Sequence, residues 1–275
     1  MSAHQAMIPY TKDEPLLTIK DVSLTFGPKT VLNGVNATIQ NITRPDIEQG
    51  QVVCFLGPSG IGKSQLARLI AGLNTPSKGN ITLHDGKPTR AGQVGLVQQS
   101  YPLFNYVTAE TNLKIACLQG KDGSDGYPRI RKLASQLGLS EATLGLYPRQ
   151  LSGGQRQRVA IIRQLLCSEH LLILDEPFSG LDIKAKQQAC KLISDVAQLH
   201  TLNTIIVITH DVTEGMSVAD TVWLMGVTPD RQGAHIVEEF DLAARGLAWK
   251  QDILDDPRFA ELVLHVKHRF LEVAP

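Results

Sequence analysis

Val52-Val53-Cys54-Phe55-Leu56-Gly57-Pro58-Ser59-Gly60-Ile61-Gly62-Lys63-Ser64-Gln65 is the stretch on which the fold turns. Five apolar residues run into the pattern G-x-x-x-x-G-K-[ST]. Leu66, Leu69, Ile70 and Leu73 then repeat at i, i+3, i+4 and i+7, one face of a helix, with Gly72 and Pro76 as stop signals. Strand, glycine-rich loop and helix therefore follow one another directly. The glycines let the chain curl so that successive N–H groups point inward as an anion cradle, and the helix N-terminus adds its positive dipole. Lys63 has the reach for β- and γ-phosphates, and the Ser64 hydroxyl suits Mg²⁺. The motif implies a bound nucleotide. Alone it does not separate ATP from GTP, nor a kinase from a switch or a motor.

Working outward, Val94–Val97, Leu171–Leu174, Thr204–Thr209 and Val222–Met225 read as further buried strands alternating with helical patterns, which predicts an α/β fold with a mainly parallel sheet. Leu16–Phe26 and Val31–Gln40 alternate apolar and polar residues around Gly27-Pro28, as antiparallel strands do, and Ile81–Leu83 before Asp85-Gly86 gives a hairpin signal. Tyr101–Arg149 carries helical patterns, a glycine-rich break at Gly120–Gly126 and no strand, so a helical subdomain is expected over about residues 100–165. Asn41–Gln49, with Pro45 and mixed charges, reads as a surface loop. The expected division is a polar tail over residues 1–15, a catalytic domain over 16–240 and a helical C-terminal extension over 241–275.

Composition narrows the classes. In 275 residues, 43% are apolar and 20% charged, enough for a large core and too apolar for a long disordered chain. Lys plus Arg and Asp plus Glu stand at 27 each, so no basic excess points to nucleic acid. Cys54, Cys117, Cys167 and Cys190 are widely spaced and form no C-x-x-C pair, as expected of buried free thiols in a reducing compartment. Met1–Pro15 has no apolar core for a signal peptide, and no apolar run approaches the ~18–20 residues that span a bilayer. Work at a membrane would need another chain to cross it.

Leu171–Leu174 ends on Asp175-Glu176. In a doubly wound sheet, ligands sit beyond the carboxyl ends of the strands, where the glycine loop also lies. Asp175 would there orient Mg²⁺ through a water molecule, and Glu176 would polarise an attacking water. Away from such a loop, an Asp-Glu pair ending a strand is more commonly a solvated turn. His210, after Thr204–Thr209, and Gln99, after Val94–Val97, reach the same edge; there His210 would stabilise developing charge or position Glu176 and water.

Leu151-Ser152-Gly153-Gly154-Gln155 precedes the apolar helix Val159–Leu166. Ser152 and the glycines suit a helix cap and turn, and they equally suit a second phosphate site made of a hydroxyl, amides and a helix N-terminus. The residues alone leave both readings open.

From about Leu16 to Met225 the order and spacing of these motifs resemble the ABC ATPase family, whose signature is L-S-G-G-Q. The resemblance implies a P-loop NTPase (RecA-like) core carrying an N-terminal antiparallel β-subdomain and a helical subdomain. It assigns Phe26 to adenine stacking and Gly57, Pro58, Ser59, Gly60, Ile61, Gly62, Lys63, Ser64 and Gln65 to the phosphates. Ser64, Gln99 and Asp175 fall to Mg²⁺, Glu176 and His210 to catalysis, and Asp182 to the D-loop in Ser179-Gly180-Leu181-Asp182. Ser152, Gly153, Gly154 and Gln155 would face the ATP of a second cassette, a copy of this chain, in a head-to-tail dimer.

The family further implies separate transmembrane permease subunits docked near Gln99–Tyr106, where Leu103, Phe104 and Tyr106 suit exposed anchors and equally suit packing inside the helical subdomain. It also implies a solute-binding protein in the wider complex and a place on the cytoplasmic side of the cell membrane. The separate chain favours an importer, and Asp241–Trp249 resembles the tails of nitrate, taurine and sulfonate importer ATPases. Gln65 departs from the pattern, since a hydroxyl usually follows Ser64. A soluble ABC protein of DNA repair or translation would need a coiled-coil insertion or a second cassette, and a P-loop kinase would leave Ser152–Gln155 and His210 unexplained. His265 and His268 read as one helix face, not a metal site.

Overall fold

Every one of the six residues of Gln51–Leu56 is buried, because this strand sits in the middle of a sheet covered on both faces. The computed structural model describes residues 9–44, 50–120, 123–168, 171–200, 204–250 and 252–274. In chain order the elements are β1 (Thr11–Phe26), β2 (Lys29–Thr43), β3 (Gln51–Leu56), α1 (Lys63–Ile70), β4 (Lys78–Leu83) and β5 (Gly95–Val97). Then come α2 (Ala109–Gln119), α3 (Tyr127–Gln136), α4 (Glu141–Leu144), α5 (Gly153–Cys167), β6 (Leu171–Asp175) and α6 (Ile183–Ala197). The chain closes with β7 (Thr204–Thr209), α7 (Val212–Val218), β8 (Thr221–Thr228), β9 (Arg231–Asp241) and α8 (Pro257–Glu272).

The strands form one sheet in the order β4-β1-β2-β9-β8-β3-β7-β6-β5. From β8 to β5 all neighbours run parallel, whereas β4, β1 and β2 pair antiparallel. Successive side chains on a strand point to opposite faces. Val53 and Phe55 accordingly join the core with Leu66, Leu69 and Ile70 of α1 and Leu17, Ile19 and Leu32 of the antiparallel strands. Val52, Cys54 and Leu56 pack on the other face with Leu113 of α2, Ile161 and Ile162 of α5, and Leu192 and Ile193 of α6. Because β3, β6 and β7 run parallel in register, their following loops emerge at one edge. That edge is where the site forms.

Four expectations are corrected. β1 begins at Thr11, inside the stretch read as a tail, because Lys12 Nζ reaches Asp241 Oδ2 at 2.9 Å and the Tyr10 hydroxyl donates to the same oxygen at 3.3 Å. β2 runs on to Thr43, so Ile42 and Thr43 of the expected loop pair with Lys12 and Thr11 of β1; residues 45–49 lie outside the described residues. β9 is a strand the sequence reading did not assign, antiparallel to β8. Residues 241–270 are not helical throughout: Leu242 and Ala243 N–H groups donate to the Asp220 carbonyl and fold the chain into turns, and the long helix begins only at Pro257. Of the cysteines, Cys54 and Cys117 are buried and Cys167 and Cys190 half-buried, all as free thiols.

Candidate nucleotide and catalytic site

β3 delivers the chain into Gly57, where a side chain could not fit: a Cβ would stand 2.7 Å from the Met225 carbonyl oxygen. Gly62 closes the loop at φ 112°, a conformation that strains residues bearing a Cβ, and caps α1. Lys63, 4% exposed, folds back under the loop and donates to the Gly57 and Pro58 carbonyls at 2.7 and 2.9 Å. Its ammonium also faces Glu176 Oε1 at 3.5 Å. Burial pulls the Lys63 amine below its ordinary range, and the Glu176 charge opposes that.

β6 brings in the two acids. Ser64 Oγ donates to Asp175 Oδ1 at 3.0 Å, joining the start of α1 to the end of β6. Burial raises the Asp175 carboxyl, while the Ser64 bond lowers it. Glu176 takes φ 53°, a left-handed backbone uncommon for a residue with a side chain, and its N–H donates to the Ile208 carbonyl at 2.7 Å. Its Oε2 meets His210 Nδ1 at 2.8 Å and accepts a longer bond from Thr209 Oγ1 at 3.4 Å. With the carboxylate ionised, His210 Nδ1 must carry the proton. One carboxylate thus spans from the phosphate-loop lysine to the histidine after β7.

Lys63, Glu176 and His210 line a cleft of about 370 Å³ with Ser59, Gly60, Gly62, Ser64, Gln65, Gln99 and Ser179. Gln99 Nε2 donates to Ser179 Oγ at 2.9 Å, so the segment after β5 closes on the turn after β6. Gln65 Oε1 lies 3.5 Å from Asn74 Nδ2, at the limit of a hydrogen bond. Oxygen donors of Ser64 and Asp175 suit Mg²⁺, which prefers few protein ligands and completes its shell from phosphates and water. No group of three or more His, Cys, Asp or Glu side chains is placed to hold a metal among the described residues.

The remaining expected residues stand outside the cleft lining. Phe26, half exposed, ends β1. Asp182 caps α6, accepting from the Ala185 N–H at 2.8 Å. Ser152 caps α5 in a reciprocal box with Gln155: Ser152 Oγ accepts the Gln155 N–H at 3.2 Å, and Gln155 Oε1 accepts the Ser152 N–H at 2.9 Å. The cap leaves the Ser152 hydroxyl hydrogen free to donate outward. Sequence reasoning did not reach Thr209, Tyr101 or Gln157, each hydrogen-bonded at or beside Glu176; a buried Thr, Tyr or Gln carries no sequence signal of its neighbours.

Phosphate loop, paired acids and histidine on adjacent parallel strands are the arrangement of an ATP-binding cassette, and the family model described as "ABC transporter" matches residues 41–179. The chain belongs to the ABC transporter family. The match takes in the phosphate loop, Ser152–Gln155 and Asp175-Glu176, and stops before Asp182 and His210. This ABC ATPase is 38% identical over 218 residues to the nitrate import ATP-binding protein NrtD of Synechocystis sp., covering 78% of this chain and 79% of the relative. Among solved structures it resembles cbiO1 of Clostridium perfringens, part of the ABC transporter complex cbiONQ, with TM-score 0.70 and 26% identity over 91% of this chain and 99% of that one. It also resembles the bacterial ABC transporter cassette MJ0796 in its dimeric structure, with TM-score 0.66 and 25% identity over 82% and 99%. No helix among the described residues is long and apolar enough to cross a membrane.

Proposed function

We propose that this chain is the ATP-hydrolysing subunit of a solute importer, working as one of two cassettes beneath separate membrane subunits. The observation that carries the reading is the Glu176 carboxylate, held between Lys63 Nζ and His210 Nδ1 at the mouth of the phosphate-loop cleft. Main-chain N–H groups of Ser59–Ser64 in the Gly57–Ser64 loop and the α1 N-terminus bind the phosphates, with Phe26 against the adenine. On binding, Lys63 exchanges its Glu176 contact for phosphate oxygens. That leaves Glu176 to take the proton of the attacking water, while His210 fixes the carboxylate and shields the charge that develops. Ser64, Gln99 and Asp175 would hold Mg²⁺, which supplies charge neutralisation on the β- and γ-oxygens.

The outward-facing cap of α5 supports a second role: Ser152, Gly153, Gly154 and Gln155 donate to the γ-phosphate bound by a partner cassette, and Asp182 lies at that junction. The dimeric MJ0796 structure supports two copies facing each other. Gln99–Tyr106 is the proposed seat of the permease subunits; Tyr106 is 76% exposed there. The likeness to a nitrate import protein supports import, with a solute-binding protein in the complex and the cassette peripheral on the cytoplasmic side. The proposed division is a catalytic domain from the start of β1 at Thr11 to the end of β9 at Asp241, its helical part over about 100–165, and an extension over the residues that follow.

Glu176→Gln is the decisive variant: ATP should still bind, turnover should collapse and a nucleotide-trapped dimer should accumulate on gel filtration. Near-normal hydrolysis would sink the role of Glu176. Tagged chain should co-purify from membranes with apolar partner chains; recovery in the soluble fraction alone would overturn the transport reading.

A further inference from the structure

The turn after β6 is held from three directions. Glu176 adopts a left-handed backbone immediately before Pro177, although a residue before proline is normally driven to extended conformations. Phe178 anchors the far side of the turn, wholly buried in the helical-face core. Between them the Pro177 carbonyl accepts two hydrogen bonds, from the Tyr101 hydroxyl at 3.3 Å and from Gln157 Nε2 at 3.4 Å. Two donors use both lone pairs of that oxygen.

The donors come from different parts of the chain. Tyr101 lies two residues beyond Gln99, with its own backbone at φ 47°. Gln157 belongs to α5, the helix whose N-terminus is the Ser152–Gln155 cap, and it is 5% exposed. A buried amide in a helix facing an apolar core is costly unless paired, and here its partner is this carbonyl. Arg163 of the same helix fastens the Tyr101 segment a second time, donating to the Pro102 carbonyl at 2.8 Å and lying 5.1 Å from the Phe104 ring centre.

We propose that Tyr101 and Gln157 are positioning residues for ATP hydrolysis, which meet at the Pro177 carbonyl and hold the Glu176 main chain in its left-handed turn. Without them the turn relaxes toward the extended form that proline favours, and the carboxylate leaves the line between Lys63 and His210. Neither side chain touches nucleotide. The effect is therefore on turnover and not on affinity. The inference rests on the proposed role of Glu176.

The test compares Tyr101→Phe, Gln157→Met and the double variant in the full-length chain, alone and in a Glu176→Gln background. Steady-state ATPase rates, nucleotide affinity by fluorescent ATP titration and thermal midpoints are read together. Each single variant should lower kcat about tenfold, with KM and nucleotide Kd within about twofold. The double variant should lose less than the product of the two, because both donors serve one oxygen. In the Glu176→Gln background the substitutions should change residual turnover by less than about twofold. Full kcat in both single variants, beside a Glu176→Gln collapse, overturns the positioning inference alone. Near-normal turnover of Glu176→Gln overturns the reading beneath it. A fall in kcat matched by weaker nucleotide binding or a lost thermal transition in Tyr101→Phe, which removes one oxygen, would make the role structural and also overturn the inference.

Discussion

Strand β3 has a charged cluster at each end. At its C-terminal end stand Lys63, Asp175, Glu176 and His210; at its N-terminal end stand Arg44 and Asp220, buried at 5% and 2% exposure. The residue types are nearly the same. The second cluster spends its polar groups on main chain: Arg44 Nη2 donates to the Gly50 carbonyl at 2.8 Å, and Asp220 Oδ2 accepts the Val52 N–H at 2.8 Å. The Asp220 N–H returns a bond to the Val52 carbonyl, and its own carbonyl takes Leu242 and Ala243. Arg44 stacks over the Trp249 ring at 4.1 Å, so the C-terminal segment is tied to the start of the sheet. At the other end, Ser64, Lys63, Glu176 and His210 face a cleft. Charge alone does not mark a functional site; access to a cleft and a strained backbone do.

The contrast can be broken most sharply at the proposed catalytic end. Glu176→Gln should cut ATP turnover by about 10²–10⁴-fold while nucleotide binding persists and the thermal midpoint barely moves. Lys63→Ala should lose both turnover and affinity, the latter by about tenfold or more in ATP titration, since it would remove the proposed phosphate contact. At the opposite end the signs reverse. Arg44→Met leaves the Asp220 carboxyl buried without that counter-charge and should cost about 3 kcal/mol, read as a fall in midpoint of roughly 6–12 °C. Turnover per folded molecule should stay as it was.

A subtler separation comes from pH. Burial raises the Asp220 carboxyl to about 7, against the nearby Arg44 charge and the Val52 bond that lower it, with Asp241 adding to the rise. The folded chain then holds a proton that the unfolded chain has released between about pH 4 and 7, so this group's contribution to stability falls as pH rises through that window. Asp220→Asn keeps an acceptor for Val52 and cannot ionise. Denaturant curves should show wild type losing ground to the variant from about pH 4 to 7; parallel curves would contradict this. The smallest effect is expected at Gln65, whose amide stands where a hydroxyl usually follows the loop serine: Gln65→Thr should tighten ATP binding by about two- to threefold, and no tightening would count against the reading.

The gathering of Lys63, Asp175, Glu176 and His210 at one end was largely legible in the sequence because its parts are local. Gly57–Ser64 states its own geometry, and Asp175-Glu176 and His210 each end an apolar run that a parallel sheet aligns. The opposite end was not legible. Asp220 reads like any surface acid until β8 buries it, and Lys12 reads as tail until Asp241, at the far end of the chain, pairs with it. β9 escaped because its register is fixed by β8 and not by its own pattern, and the turns after Asp241 form because Asp220 supplies an acceptor. Tyr101 and Gln157 were invisible for the same reason: their meaning lies in a carbonyl that neither is near in sequence.

The order of strands also bears on how the chain is made. β3 is finished by residue 56, yet its two neighbours are β7 and β8, which begin at residues 204 and 221. During synthesis a strand apolar in five of its six residues therefore waits with both hydrogen-bonding edges open while about 150 more residues leave the ribosome. The phosphate loop it carries cannot be held in shape before then. Such long-range closure makes folding slow. The yield of active cassette should thus depend on chaperone supply and growth temperature more than its final stability would suggest.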